Sequence, residues 1–268
     1  MKLSFHTCGL EWYTFEDAIN ELADIGYDAC GPILAPGGHI DPDTITDSQK
    51  TAYKNLAKDR NIAFSILNPW KVGGFAAGVA SGETERFYHQ ALDVAADLGA
   101  PGVKFLPGSF ATGENAGWQD MIKVLKPLCH HAKQVGVALT MQNHENQLID
   151  TANGFALLRH HLGSDYIQFN LDCSNMAILM DDPSRAIRDF KDHLGYVRIK
   201  GMNDYYPFAQ QCPPGIPGDI VDWEAVMSAL KEVGYTGYVE PVTYPWFPPD
   251  FPRYAFTWAR NLAAKVGF

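Results

Sequence analysis

The chain has 268 residues, 46% of them hydrophobic and 19% charged, and a formal net charge of −10. This length suits one (β/α)8 domain of roughly 250 residues and allows a large buried core. The acidic balance argues against a nucleic-acid partner, which needs clustered Lys and Arg. No apolar run is long enough for a membrane span or a signal peptide, and the five cysteines lack CxxC spacing. We therefore expect reduced thiols in a cytoplasmic protein without a membrane partner.

Short apolar runs alternate with amphipathic stretches along the chain. Phe15, Ala18, Ile19 and Leu22, for example, recur at helical spacing. Strands separated by helices run parallel, and eight such units can close into a barrel. The sequence thus predicts a single TIM-barrel domain over residues 1–268. An open doubly wound sheet is the competing fold, but it would favour a GxGxxG turn after the first strand, which is absent. The predicted strands are Lys2–Cys8, Tyr27–Gly31, Ile62–Leu67, Gly102–Leu106, Val137–Asn143, Ile167–Asp172, Tyr196–Lys200 and Gly237–Glu240.

Glycines punctuate the alternation of helices and strands. A Gly just past a helix can adopt the left-handed conformation that closes its last carbonyls. Thr14-x-x-Asp17 and Ser81-x-x-Thr84 are typical of helix starts. Three long irregular segments each follow a strand, on the face where barrel enzymes hold their sites, and they suggest a lid. The glycines predicted to end helices are Gly26, Gly99, Gly136, Gly163, Gly195 and Gly234, and the long segments are Pro32–Thr46, Pro69–Gly82 and Asn203–Val221.

Polar residues collect at the predicted strand ends. Charged groups buried there are costly unless they pair with each other, a metal or a substrate. A ring of salt bridges that merely closes the barrel mouth would use some of them, but the whole set exceeds what closure needs. The set indicates a functional site and comprises His6, Asn68, Lys104, Gln142, Asn143, His144, Glu145, Asp172, Asn175, Arg198, Lys200 and Glu240.

Several phrases of the chain carry a family resemblance. They are Leu22–Asp28, Gln142–His144, Asn170–Asp172, Gly218–Trp223 and Gly234–Glu240. With these phrases the chain, from residue 2 to about residue 265, resembles the xylose-isomerase-like sugar isomerase/epimerase superfamily. The resemblance implies a TIM barrel and a small-molecule sugar substrate. It does not fix one reaction, because that superfamily includes epimerases, isomerases, inosose dehydratases and DNA-repair endonucleases.

The resemblance also implies a divalent metal ion (Mn, Mg, Co or Zn), held by Glu, Asp, His and Glu from the fifth to eighth strands. The matching residues here are Gln142, Asp172, Arg198 and Glu240. Gln142 can ligate a cation but cannot accept a proton from carbon, and Arg198 cannot bind a metal. Two alternatives stay open. Asp172, Glu240 and Gln142 hold the metal, with His144 or Glu145 as further candidates, or Arg198 replaces part of its charge.

The predicted function is removal of a proton next to the carbonyl of a sugar or sugar derivative, by an isomerase or epimerase. Glu240 is the candidate base and His144 a candidate proton shuttle, while Lys200 and Arg198 would stabilise the oxyanion. A lyase or dehydratase acting on a keto-sugar or inosose, and a non-catalytic sugar-binding protein, are the alternatives. Whether the chain forms a homo-oligomer is left open. The predicted substrate-binding residues are His6, Asn68, Lys104, Asn175 and Trp246.

Overall fold

Eight parallel strands form the centre of the computed structural model, which describes residues 1–69, 82–108, 114–242 and 247–268. Of residues 83 and 114–116 only the backbone is described. The strands pair in the order β3-β2-β1-β8-β7-β6-β5-β4. The two edges meet where Leu67 bridges Val103 and accepts a 2.9 Å hydrogen bond from the Lys104 amide. The predicted (β/α)8 barrel is confirmed. Its strands are β1 (Lys2–His6), β2 (Ala29–Gly31), β3 (Ala63–Phe64), β4 (Gly102–Phe105), β5 (Ala138–Gln142), β6 (Ile167–Asp172), β7 (Leu194–Ile199) and β8 (Tyr238–Pro241).

Helices surround the barrel and begin where the sequence places caps. The Thr14 hydroxyl accepts from the Asp17 amide at the start of α1, and Thr46 forms a capping box with Gln49 at the start of α2. Ser81 lies outside the described residues. In the described ranges the helices are α1 (Phe15–Ile25), α2 (Asp47–Asp59), α3 (Gly82–Leu98), α4 (Glu114–Val135), α5 (Ala152–Leu162), α6 (Cys173–Ala177), α7 (Pro183–Asp189), α8 (Trp223–Glu232) and α9 (Phe251–Lys265).

The glycines predicted to end helices behave as expected with one exception. Gly195 lies inside β7, because a short 3-10 turn (Lys191–His193) already separates α7 from the strand. It sits where the pairing of β6 with β7 shifts register beside Phe169 and Asn170. A side chain there would collide with Gln168, so this glycine makes room for a neighbouring strand and does not end a helix. The other five glycines predicted to end helices all have positive φ: Gly26, Gly99, Gly136, Gly163 and Gly234.

The two faces of the barrel strands differ in chemistry. Successive side chains of a strand point to opposite faces, so one set meets the helices and the other faces the barrel interior. The outer set is apolar and buried in the main core: Leu3, Phe5, Val103, Phe105, Leu139, Met141, Phe169, Leu171, Val197, Ile199 and Val239. The inner set is polar and equally buried: Ser4, His6, Lys104, Thr140, Gln142, Asn170, Asp172, Arg198 and Glu240.

The segments after the strands form small structures over the mouth. Ile33–Leu34 pairs in parallel with Asn68–Pro69, and Gly201–Met202 pairs antiparallel with Gln211–Cys212. Tyr206 donates a 2.8 Å hydrogen bond to Asn146, which joins the segment after β7 to the loop after β5. All five cysteines lie in the described ranges as free thiols. Among the helices described, none is both long and apolar enough to cross a membrane.

Candidate active site

A continuous chain of polar contacts runs along the C-terminal ends of β5 to β8. Arg198 donates from Nη1 to Gln142 Oε1 at 2.7 Å, and its Nη2 lies 3.0 Å from Glu240 Oε1. Gln142 donates from Nε2 to Asp172 Oδ2 at 2.9 Å, and Lys200 Nζ lies 3.3 Å from the same oxygen. All five side chains are at most 5% exposed. The structure therefore brings together the four residues at the ligand positions of the resemblance in the series Asp172, Gln142, Arg198 and Glu240, each within hydrogen-bonding distance of the next.

A second series of hydrogen bonds runs from Glu240 across the barrel interior. Tyr196 donates to Glu240 Oε2 at 2.7 Å, and its hydroxyl lies 2.7 Å from that of Ser65, which is 2.6 Å from Ser4. These residues come from β8, β7, the end of β3 and β1. Glu240 also packs against the backbone of Gly31, where a side chain would collide with it. Tyr196 therefore fixes Oε2 of this carboxylate, while Oε1 faces the guanidinium of Arg198.

Asp172 is held in place by hydrogen bonds of both its backbone amide and its carboxylate. Asn143 accepts from the Asp172 amide at 2.8 Å, and the Asn175 amide donates to Asp172 Oδ1 at 3.0 Å. Complete burial opposes ionisation of Asp172, but Lys200, Arg198 and the Asn175 amide together lower its pKa. Asp172 is thus a poor proton acceptor at neutral pH, and its fixed position suits a residue that orients the groups around it.

Glu240 differs from Asp172 in its electrostatics. Burial raises the pKa of Glu240 above its usual value, although Arg198 and the Tyr196 hydroxyl oppose the shift. Two carboxylates in one site with pKa values pushed in opposite directions are the usual mark of divided roles. At a given pH Glu240 is therefore protonated to a greater extent than Asp172.

The pKa values of two neighbouring basic groups, Lys104 and His6, are also shifted. Burial, with Arg198 as a further cause, lowers the pKa of Lys104 to about 7. Burial together with Arg198 and Lys104 lowers the pKa of His6 well below its usual value. Because His6 Nδ1 accepts from the Cys8 amide at 3.0 Å, the neutral ring carries its proton on Nε2. Lys104 can exchange a proton near neutral pH, whereas His6 acts as a neutral donor.

The remaining predicted residues lie around this centre. His144 is partly buried, with Nδ1 3.1 Å from Glu145 Oε2, and burial and Lys200 lower its pKa. Asn175 Nδ2 donates to the Asn143 carbonyl at 2.9 Å. Asn68 is fully buried at the end of the third strand. Trp246 lies outside the described residues.

Sequence reasoning missed Tyr196, Ser65 and Ser4. Two of them have the strand parity of a residue that the sequence identifies: Tyr196 alternates with Arg198, and Ser4 with His6. Period-two alternation was the available signal. A search for charged residues at the strand ends does not find these positions, because serine and tyrosine are uncharged.

The side chains predicted as metal ligands do not fit a divalent cation. Gln142 has its amide oxygen on Arg198 and its amide nitrogen on Asp172. Asp172 is paired with Lys200, and Glu240 with Arg198. In the part of the chain that the structure describes, no three His, Cys, Asp or Glu side chains are grouped to bind a metal. A cation here would have to displace the guanidinium of Arg198.

Solved structures share this fold at low sequence identity. 3-Keto-D-glucoside 4-epimerase YcjR from E. coli is 16% identical with a TM-score of 0.79, covering 97% of this chain and 99% of its own. D-psicose 3-epimerase from Clostridium cellulolyticum H10, solved with D-tagatose, is 17% identical with a TM-score of 0.78 and 99% coverage of both chains. The IolI protein, solved with a zinc atom, is 20% identical with a TM-score of 0.76, covering 99% and 96%.

A family model gives the more specific assignment. A comparison with curated proteins found no match. The model described as xylose isomerase-like TIM barrel matches residues 19–253, which include every strand of the barrel except β1. The chain belongs to the xylose isomerase-like TIM barrel family.

Proposed function

We propose that this protein is an enzyme that removes the proton next to the carbonyl of a sugar or sugar derivative, with Glu240 as the base. The observation that carries the proposal is the opposite behaviour of the two buried carboxylates. The pKa of Asp172 is lowered and that of Glu240 is raised. A base works best when its pKa lies close to the working pH, so Glu240 takes the proton and Asp172 stays ionised.

The charges of the site suit an anionic intermediate. Among the described residues, the buried charged side chains at the mouth are basic Lys104, Arg198 and Lys200 and acidic Asp172 and Glu240. When the C–H bond breaks, Glu240 takes the proton and the electron pair moves to the carbonyl oxygen, forming an enediolate. In a water-poor site Arg198 supplies a permanent positive charge for that oxygen, and Lys104 supplies a positive charge that can also donate a proton. Glu240 then returns the proton to a neighbouring atom.

One raised-pKa carboxylate favours chemistry that needs a single base. Gln142 has both amide atoms engaged and cannot accept a proton from carbon. Isomerisation, in which Glu240 returns its proton on the same face, therefore agrees better with the site than a two-carboxylate epimerisation. The same observation favours a second candidate, elimination, in which the carbanion expels a group from the next carbon.

Buried amides support a polyhydroxylated substrate. The side-chain amide of Asn68 and the Asn175 Oδ1 atom have no hydrogen-bond partner within the described ranges. Buried polar atoms normally have partners, and sugar hydroxyls would supply them. The solved relatives with this fold include proteins named for D-psicose and a 3-keto-D-glucoside, which supports carbohydrate as the substrate class.

The test is solvent exchange at the substrate's α-carbon. Purified protein in D2O would be incubated with a panel of aldoses, ketoses and keto-glycosides, and deuterium located by NMR and mass spectrometry. We expect deuterium in a product of unchanged formula, and a loss of about 10²-fold or more in Glu240→Gln. The control is Glu232→Gln, which alters an exposed carboxylate paired with Arg188 in the layer of helices and should keep most of the activity.

Other outcomes discriminate the alternatives. A product that has lost water or a glycosyl group would assign a lyase. Binding of a sugar without any exchange would assign a non-catalytic sugar-binding protein. Exchange that persists in Glu240→Gln would remove Glu240 from the mechanism and make His144 the next residue to test.

A further inference from the structure

We infer that the guanidinium of Arg198 takes the place of a divalent cation in this site, and that the site binds no metal ion. This guanidinium contacts both Gln142, on β5, and Glu240, on β8. Gln142 continues the connection to Asp172 on β6. A single buried cationic group thus links the strand ends from which the family resemblance would draw metal ligands.

Gln142 and Arg198 are complementary to each other. A glutamine can accept from Arg198 through Oε1 and donate to Asp172 through Nε2, and both bonds are present. A glutamate at position 142 would place a second carboxylate against Asp172, and like charges at that distance oppose ionisation. A glutamine suits a site whose cation is a hydrogen-bond donor, because it satisfies both neighbours without adding charge.

The charge balance of the site also excludes a second cation. Lys200 is paired with Asp172, and Arg198 with Glu240, at 3.3 and 3.0 Å. Lys104 contributes a further basic group, and its electrostatic effect reaches both carboxylates. A divalent ion bound to either carboxylate would lie beside one of these buried cations, with little water to screen the repulsion. The inference concerns metal binding alone and holds whether or not the proposed reaction is correct.

The first experiment measures metal in the unaltered chain. Protein would be dialysed against Mn²⁺, Co²⁺ or Zn²⁺ in separate samples, freed of excess ion and assayed by elemental analysis. We expect less than about a tenth of an equivalent and no rise in melting temperature with added ion, since an ion that binds the folded state would stabilise it. About one equivalent, lost in Asp172→Asn, would overturn the inference.

The second experiment rebuilds a ligand set. The double variant Gln142→Glu/Arg198→His presents Glu, His, Asp172 and Glu240, which suit a divalent cation. We expect about one equivalent of Co²⁺, with a visible absorption band and a raised melting temperature. The single variant Gln142→Glu, which keeps the guanidinium, is the matched control and should bind none.

The outcomes separate the inference from the proposed function. A folded double variant that binds no Co²⁺ would show that Arg198 and Gln142 are not what excludes the metal, and would overturn the inference. If the double variant does not fold, the measurement on the unaltered chain still decides. An absence of solvent exchange with every sugar would end the proposed function and leave the metal content as measured.

Discussion

Phe169 and Asn170 are adjacent on β6 and face opposite sides of the barrel wall. Phe169 stacks on Phe155 with ring centroids 4.5 Å apart and meets Phe190 edge-on at 5.8 Å. Asn170 is equally buried, yet neither atom of its side-chain amide has a hydrogen-bond partner in the described residues. The outer face therefore contributes stability through apolar packing, whereas the inner face holds polar groups whose burial costs stability.

The difference indicates what the interior is for. Barrel interiors are commonly filled by layers of branched apolar residues. Here ion pairs and hydrogen bonds fill the same space, and a buried ion pair is often no more stabilising than well-packed hydrophobic residues. A polar interior of this kind is explained better by chemistry at the mouth than by stability.

The largest stability effect is expected on the outer face. Phe169→Ala should lower the free energy of unfolding by about 3–5 kcal/mol, because it removes a large ring from a packed cluster. Asn170→Ala, one residue away, should change it by less than about 1 kcal/mol, since the lost volume is offset by the removal of an unpaired amide. Urea denaturation measures both. Equal losses would contradict the division between the two faces.

The next effect tests the ion pair of the inner face. Arg198→Met should cost about 3 kcal/mol, because it leaves the buried carboxylate of Glu240 without its cation. The double variant Arg198→Met/Glu240→Met should recover most of that stability, yet show no solvent exchange. Thermal unfolding and the exchange assay together measure this. A double variant no more stable than Arg198→Met would show that the loss does not come from leaving the Glu240 carboxylate unpaired.

The buried amine of Lys104 predicts a pH dependence of stability. Its pKa is lowered from 10.5 to about 7 in the folded state. Between these values the unfolded chain binds more protons, so this group makes stability rise with pH, by at most about 1.4 kcal/mol per pH unit. Below pH 7 both states are protonated and the contribution is flat. Urea denaturation at pH 6, 7.5 and 9 should show the rise in the unaltered chain and its loss in Lys104→Met.

The smallest effect concerns the hydroxyl of Tyr196. Tyr196→Phe should cost about 1 kcal/mol, because Glu240 loses a donor at 2.7 Å. That hydrogen bond lowers the pKa of Glu240, so its removal should raise the pKa and move the acidic limb of the pH–rate profile to higher pH. Ser4→Ala serves as the control, because Ser4 is separated from the Tyr196 hydroxyl by two hydrogen bonds through Ser65. An unmoved limb would remove the hydroxyl from the tuning of Glu240.

Much of this architecture could be predicted from local sequence patterns. All eight predicted strands are present, with ends within a few residues of those observed. Gly195 was misassigned because a glycine after a polar stretch looks the same whether it ends a helix or fits a register shift. Tyr196 was missed because a tyrosine on a strand is ordinarily a packing residue, and only the position of Glu240 gives its hydroxyl a role.

The sequence alone determined the alternation of strands and helices, the two-faced strands and the polar strand ends, since these are periodic and local properties of the chain. Only the tertiary structure decided which charges meet. Arg198 lies between Gln142 and Glu240, residues 98 positions apart along the chain, and Asp172 meets Lys200. Closure of the barrel sets these distances, and electrostatic energies change steeply over a few ångströms in a buried site. The opposite pKa shifts of Asp172 and Glu240 therefore follow from the barrel and could not be read from the order of the residues.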